Sequence, residues 1–274
     1  MSHVEHLGDG LLAMAAGVLA AMAGLGGAIL LVPALLLTGM TATSAAPLGL
    51  VTVAGVSVAA GRRQLTSRVV NHRIGVTIEL VASAAAVVGA LVSGLLGETF
   101  VAWMLAVVAL AAAVIGARGR GLRNPPDPAC EPSDVGERIG ALDGAYPLGD
   151  QVVPYRPKRV APALGFMALA GFIAGSAGVS GGFVKTSAAT EIMRVPMKVA
   201  TATTTFTVGV TASVALIVYA IQGRIEPRSC AAVLVGSLLG GQIGAHIQHH
   251  LSPVAIRYLR SGLLVLVAVL LVTR

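Results

Sequence analysis

Lys185 is the residue of this chain whose setting points most directly to chemistry. It lies in an apolar run, three residues beyond Gly182 of the cluster Gly178-Val179-Ser180-Gly181-Gly182-Phe183. A Lys at the centre of a membrane helix costs roughly 2.5–3.5 kcal/mol, so its default reading is functional. The plainer reading is snorkelling, with the flexible stem carrying the ammonium to an interface. A second cluster, Gly24-Leu25-Gly26-Gly27-Ala28-Ile29, stands in the first half, and Pro33 follows five residues beyond Ala28. Small residues in such runs either let helices pack closely or break a helix, so that freed amide N–H groups face a buried anion. The break is the better reading, because the cluster recurs and a helix breaker or a charge follows each copy. Amide dipoles and a buried ammonium together would hold a small anion.

Hydroxyls extend this set. Thr201, Thr203, Thr204, Thr205, Thr207 and Thr211 open the segment after Lys185, with Thr204, Thr207 and Thr211 on one helical face. They can bond their own helix's carbonyls or line a cavity. The candidate site is Gly24, Gly26, Gly27, Ser180, Gly181, Gly182, Lys185, Thr203, Thr204 and Thr205. The matching region of the first half offers only Thr52 and Ser57, so the polar chemistry leans to the second half. Glu191 is a pairing candidate for Lys185 or Arg194, and a proton carrier only as the weaker reading. His246, His249 and His250 have a spacing that can ligate metal, but no carboxylate or thiolate stands beside them, which favours an interfacial cluster. No metal or other cofactor is expected. Ser/His/Asp and HExxH patterns are missing, and no βαβ unit surrounds the Gly-x-Gly-Gly runs. The expected protein is not an enzyme.

These residues must be positioned by membrane helices. The chain has 274 residues, of which 55% are hydrophobic and 11% charged, against about 25% charged in soluble domains. Aromatics are few and Gly numbers 34, which suits close helix packing in lipid. A spanning helix takes about 20 apolar residues. Eight segments qualify: 11–37, 44–60, 74–96, 100–117, 161–190, 200–221, 229–247 and 254–272. They divide into an N-terminal membrane repeat, 1–117, a polar loop, 118–160, with room for one small ordered element, and a C-terminal membrane repeat, 161–274. The net charge of +7 falls between the apolar segments and forms no aromatic-interleaved patch, so no nucleic-acid partner is expected. Cys130 and Cys230 make no disulfide framework. Met1–Gly10 lacks a basic leader and a cleavage site, so the first apolar segment is expected to stay.

With eight full spans, fourteen Lys and Arg residues fall on the face of the termini and the central loop. Four fall on the other face, namely Arg194, Lys198, Arg257 and Arg260. That bias predicts cytoplasmic termini in an inner membrane. Segments one and five are unusual enough to be re-entrant, which would change the topology. At a constant offset of 154 the two glycine clusters align, and the match runs on through Ala46 opposite Ala200 and Gly55 opposite Gly209. The expected fold is an all-α polytopic membrane helix bundle: about eight membrane segments in two pseudo-symmetric halves, with Gly-broken helices in each half. Whether the halves are parallel or inverted stays open, and so does a homo-oligomer.

Gly175–Thr211 resembles the TauE/SafE-type sulfite exporter family. The resemblance is carried by Gly181-Gly182-Phe183-Val184-Lys185, then Val195-Pro196-Met197-Lys198-Val199-Ala200-Thr201-Ala202-Thr203, then Gly209-Val210-Thr211-Ala212. In the first half, Gly24 through Pro33 is similar to that family's N-terminal Gly-rich motif. Leu142-Asp143-Gly144-Ala145-Tyr146 and Tyr219–Pro227 fit one branch of it. Ser180, Ala28, Ser187 and the Thr204-Thr205 pair depart from its pattern. The resemblance implies secondary transport of sulfite or an organosulfonate-like anion, commonly outward, across a prokaryotic inner membrane. The rival expectation is a non-transporting membrane accessory or assembly factor.

Overall fold

The computed structural model describes residues 3–23, 26–66, 69–117, 130, 134–148, 151–250 and 253–272. Ten α-helices dominate them: α1 (His3–Ala23), α2 (Ala28–Leu37), α3 (Ala42–Thr66), α4 (His72–Val92), α5 (Glu98–Ala117), α6 (Val160–Ala177), α7 (Gly182–Ser187), α8 (Met197–Ile221), α9 (Pro227–His250) and α10 (Pro253–Val272). Among the described residues, four stretches are long and apolar enough to cross a membrane: Ala42–Ala59, His72–Leu95, Val160–Ala177 and Met197–Ile221. Large apolar side chains such as Leu80, Trp103, Leu169 and Ile217 point outward, as a lipid-facing surface requires.

Local chemistry sets the helix ends. Asn71 caps α4, its side chain accepting from the Ile74 N–H at 2.9 Å. Pro227 and Pro253 open α9 and α10, where the missing N–H costs no helical bond. α6 stops at Gly178, left-handed at φ 70°. The expected breaks in segments one and five are present. The offset of 154 carries the end of α1, Ala23, onto the end of α6, Ala177, and the start of α2, Ala28, onto the start of α7, Gly182. A π-turn, Ala188–Ile192, continues α7.

Neither broken segment traverses the bundle. The Lys158 N–H donates to the Met193 carbonyl at 2.8 Å, so the chain leaves the π-turn at the end where it entered α6. Arg159 and Arg194, left-handed at φ 50° and 58°, make the two bends there. At the opposite end, Asp9 near the start of α1 accepts from Ser229 at 3.1 Å. There it shares a cavity with Thr38 and Met40 beyond α2. Segments one and five are therefore re-entrant, each from its own end of the bundle. The chain thus takes the re-entrant alternative that the sequence left open for these two segments, since a helix broken by a left-handed glycine can turn back inside the fold.

Helices pack as α1 on α9, α4 on α6, α5 on α10, α3 on α8, α4 on α8, and α3 on α9. Small residues allow it: a Cβ on Gly171 would run into the Ala82 carbonyl, and one on Gly240 into that of Met14. The larger apolar core includes Leu31, Leu35, Leu50 and Leu264.

The central loop holds more than a turn. β1 (Gly136–Glu137), β2 (Gly144–Leu148) and β3 (Gln151–Tyr155) form an antiparallel sheet in that order, with Gly136 opposite Ala145 and Tyr146 opposite Val153. The fold is thus not purely helical. Tyr146, Val153 and Tyr155 form a second core with Ile74, Ile78, Met167, Met193 and Val199. The sheet is thereby seated on the end of the bundle where α4, α6 and α8 begin.

Candidate functional site

The helix break places Lys185 on the second turn of α7, and three helices converge on it. Its side chain is fully buried. The ammonium donates to Glu79 Oε2 on α4 at 2.7 Å and to Thr211 Oγ1 on α8 at 2.5 Å. The Thr211 hydroxyl donates to Glu79 Oε1, and Ser83, one turn along α4, donates to the same oxygen at 2.6 Å. The carboxylate therefore receives an ammonium and two hydroxyls, and the buried group carries no net charge when both partners are ionised. A buried ion pair survives only with such additional hydrogen bonds.

The two helix breaks meet beside this pair. Gly26 is left-handed at φ 73°, and a Cβ there would lie 2.9 Å from Ser180 Oγ. Ser180 Oγ accepts from the Gly182 N–H at 3.2 Å, so one amide freed by the second break is held by a side chain of the same loop. Gly27 packs against Thr52 of α3, and Gly181 against the Ala170 carbonyl of α6. Gly24 lies outside the described residues. A gap lined by Leu50, Val53, Ser180, Lys185 and Thr211 adjoins the ammonium and is too narrow for a water molecule. The site is occluded.

The threonine face of α8 divides its work. Thr211 bonds the ion pair. Thr207 donates to the Thr204 carbonyl at 3.3 Å, and Thr204 and Thr186 hydroxyls lie 2.7 Å apart. Thr203 accepts the Asn71 backbone N–H at 3.0 Å, and Thr205 turns back to the Thr201 carbonyl at 2.8 Å. Thr203, Thr204 and Thr205 therefore do not converge on Lys185, while Thr211, about two turns further on, does.

Sequence reasoning missed Glu79 and offered Glu191 as a pairing candidate for Lys185 or Arg194; Lys185 pairs with Glu79. Glu191 instead lines an outer groove of about 550 Å³ with Phe166, Leu169 and Val184. The signal for Glu79 was present: it is the sole charged residue in the apolar stretch 74–96, and the rule applied to Lys185 applies equally to it. Of the histidine cluster, His246 is exposed, and the side chains of His249 and His250 lie outside the described residues.

Two flanking features frame the site. At the sheet end, the Asn71 amide donates to the Tyr155 hydroxyl at 3.0 Å and to the Leu142 carbonyl at 3.2 Å, while Lys198 reaches the Pro147 carbonyl at 3.1 Å. Burial pushes the Tyr155 phenol pKa up to about 12, the Asn71 hydrogen bond pulling the other way and the charges of Glu137 and Asp143 adding to the rise. At the opposite end opens a cavity of about 590 Å³, lined by Asp9, Thr38, Thr41, Ser44, Arg224 and Glu226 among others.

Residues 10–271 match the model of a protein family described as sulfite exporter TauE/SafE. No curated protein and no solved structure matches the chain.

Proposed function

We propose, because the chain belongs to the TauE/SafE family of sulfite exporters and is thereby a membrane transporter of sulfur anions, that it exports a small sulfite- or sulfonate-like anion by alternating access. The anion would sit where the two helix breaks meet. Gly26, Gly27, Gly181 and Gly182 let backbone approach it, Ser180 and Thr211 offer hydroxyls, and Lys185 supplies the charge. The observation that carries this reading is the fully buried Lys185 ammonium beside the meeting point of two re-entrant helix pairs.

The packing supports two pseudo-symmetric halves of inverted sense. Exchanging α1, α3, α4 and α5 for α6, α8, α9 and α10 turns the α1–α9 contact into α6–α4 and the α3–α9 contact into α8–α4. It returns α3–α8 and α5–α10 to themselves. Broken helices entering from opposite ends match the inverted-repeat design, with substrate near the midplane.

Re-entrance also revises the topology proposed from loop charges. Among the described residues, Arg73, Arg138, Arg156, Lys158, Arg159, Arg194 and Lys198 lie at the sheet end, and Arg224 and Arg228 at the other. The positive-inside rule then makes the sheet end cytoplasmic in an inner membrane. The start of α1 and the end of α10 fall outside, opposite to the expectation for eight spans. The cavity beside Asp9 becomes an external vestibule, and the sheet closes the cytoplasmic end.

The deciding experiment is flux of labelled sulfite and methanesulfonate in proteoliposomes, comparing wild type with Lys185→Ala and Lys185→Arg. Flux is expected in wild type and lost in Lys185→Ala. Unchanged flux in Lys185→Ala would remove Lys185 from the site, and no wild-type flux alongside stable co-purification of another membrane chain would replace transport with an accessory role.

A further inference from the structure

Lys185 has one ammonium, and Glu79 already holds it. The carboxylate sits 2.7 Å from Nζ, in the place an incoming oxyanion must take. The adjoining gap admits no water, so a second negative charge there would be neither solvated nor paired, and like charges at such a distance do not both remain ionised. An anion can bind only if Glu79 gives up its charge.

We propose that Glu79 is a proton-coupling residue whose carboxylate is the internal stand-in for the transported anion. On loading, an O–H bond forms at Glu79 with a proton taken from hydronium, and the monovalent anion takes the ammonium. On release at the other face the anion leaves, the O–H bond breaks, the proton returns to water, and the carboxylate closes back on Lys185. Nothing is oxidised or reduced. Empty and loaded sites both carry zero net charge, so one proton accompanies each monovalent anion and the cycle moves no net charge. Thr211, bonded to both partners, can redirect its hydroxyl from the carboxylate to the anion as the exchange occurs. This rests on the reading of Lys185 as the anion site.

Among the described residues, the neighbouring elements bring no other titratable group to the pair. α6 carries none. On α4, His72 and Arg73 stand at its start against Glu137. On α8, Lys198 is held at the Pro147 carbonyl and Tyr219 at the Gly175 carbonyl. Glu191 of the π-turn faces the outer groove, and Glu98 opens α5 at the end where α4 finishes. The proton has one acceptor among the described residues here.

The test uses full-length protein in proteoliposomes with a trapped pH dye. Methanesulfonate is the probe, because as a strong-acid anion it carries no proton of its own near neutral pH. In wild type, a methanesulfonate gradient is expected to move protons in its own direction at one per anion, and a potassium–valinomycin potential to leave the flux unchanged. Flux that follows the potential with no dye response would overturn the coupling while leaving transport intact. No flux of methanesulfonate, sulfite or thiosulfate would overturn transport itself, and the coupling with it. Glu79→Gln is expected to lose proton movement, and any labelled-for-unlabelled exchange it retains should be independent of pH. Protons moving with the anion in Glu79→Gln at the wild-type ratio would also overturn the proposal. The wild-type measurements decide without the variant if it fails to fold.

Discussion

Lys185 and Glu79 are separated by 106 residues of chain and lie on opposite sides of the central loop, yet their charged atoms are 2.7 Å apart and almost wholly buried. Neither residue is tolerable there alone. Together, with Ser83 and Thr211 filling the remaining carboxylate sites, they form the polar centre of an otherwise apolar bundle. The pair joins the second re-entrant helix to the first half of the protein, so any movement of one half against the other must deal with it.

Breaking the pair should therefore cost more than removing it. Lys185→Ala leaves Glu79 buried and unpaired, and a loss of about 3–5 kcal/mol is expected for such a charge. The double variant Lys185→Met with Glu79→Gln should recover most of that loss while still lacking transport. Thermal unfolding of detergent-purified protein measures both. A double variant no more stable than Lys185→Ala would refute the account.

Gly26 is required by its backbone and its neighbour at once. Gly26→Ala meets a left-handed φ of 73° and Ser180 Oγ 2.9 Å away, for a cost of about 1–3 kcal/mol. Gly262→Ala, in α10 with open space around it, should be neutral or slightly stabilising. Comparing the two melting temperatures separates a structural glycine from a tolerant one.

The sheet is held on the bundle through Asn71. Asn71→Ala removes the α4 cap and both bonds to the loop, worth about 1–2 kcal/mol for the cap alone. Faster cleavage of the central loop by added protease is the expected readout, with Thr203→Val giving a smaller effect.

Tyr155 predicts an alkaline limit. Its pKa is raised to about 12 from an ordinary phenol value near 10, so the folded state favours the neutral form. The stability involved is fully present below pH 10 and is lost as pH rises through 12, amounting to about 2–3 kcal/mol. Tyr155→Phe should flatten this loss in melting curves taken across that range, and an unchanged slope would discount Tyr155 as its source.

Topology can be read by labelling. In a background with Cys130 and Cys230 replaced, Ile139→Cys near the sheet and Leu95→Cys at the opposite end are both highly exposed, at 91% and 85%. A membrane-impermeant maleimide added outside cells should label only Leu95→Cys. Labelling of Ile139→Cys instead would invert the orientation.

Much of this protein was legible without coordinates, because lipid imposes simple rules. A helix in hydrocarbon must be apolar and long, so the segments could be marked. A glycine cluster repeated at a fixed offset, followed by a Pro in one copy and a Lys in the other, marked both breaks, and a lone Lys in an apolar run marked the candidate site. Three things depended on tertiary structure. Re-entrance depends on where the chain goes after the break: the Lys158–Met193 and Asp9–Ser229 bonds decide it, and no local pattern contains them. The partner of Lys185 was not the nearest carboxylate in sequence, Glu191, but one on another helix, because pairing in a packed bundle follows helix contacts and not chain distance. The threonines divided between the ion pair and the sheet because neighbours on α4 differ along α8: Asn71 takes Thr203 and Glu79 takes Thr211. Composition and periodicity thus determined that the chain is a membrane bundle with two broken helices, since solvation and backbone sterics act locally. Which buried charges meet was decided only by packing, since that depends on contacts made across the whole fold.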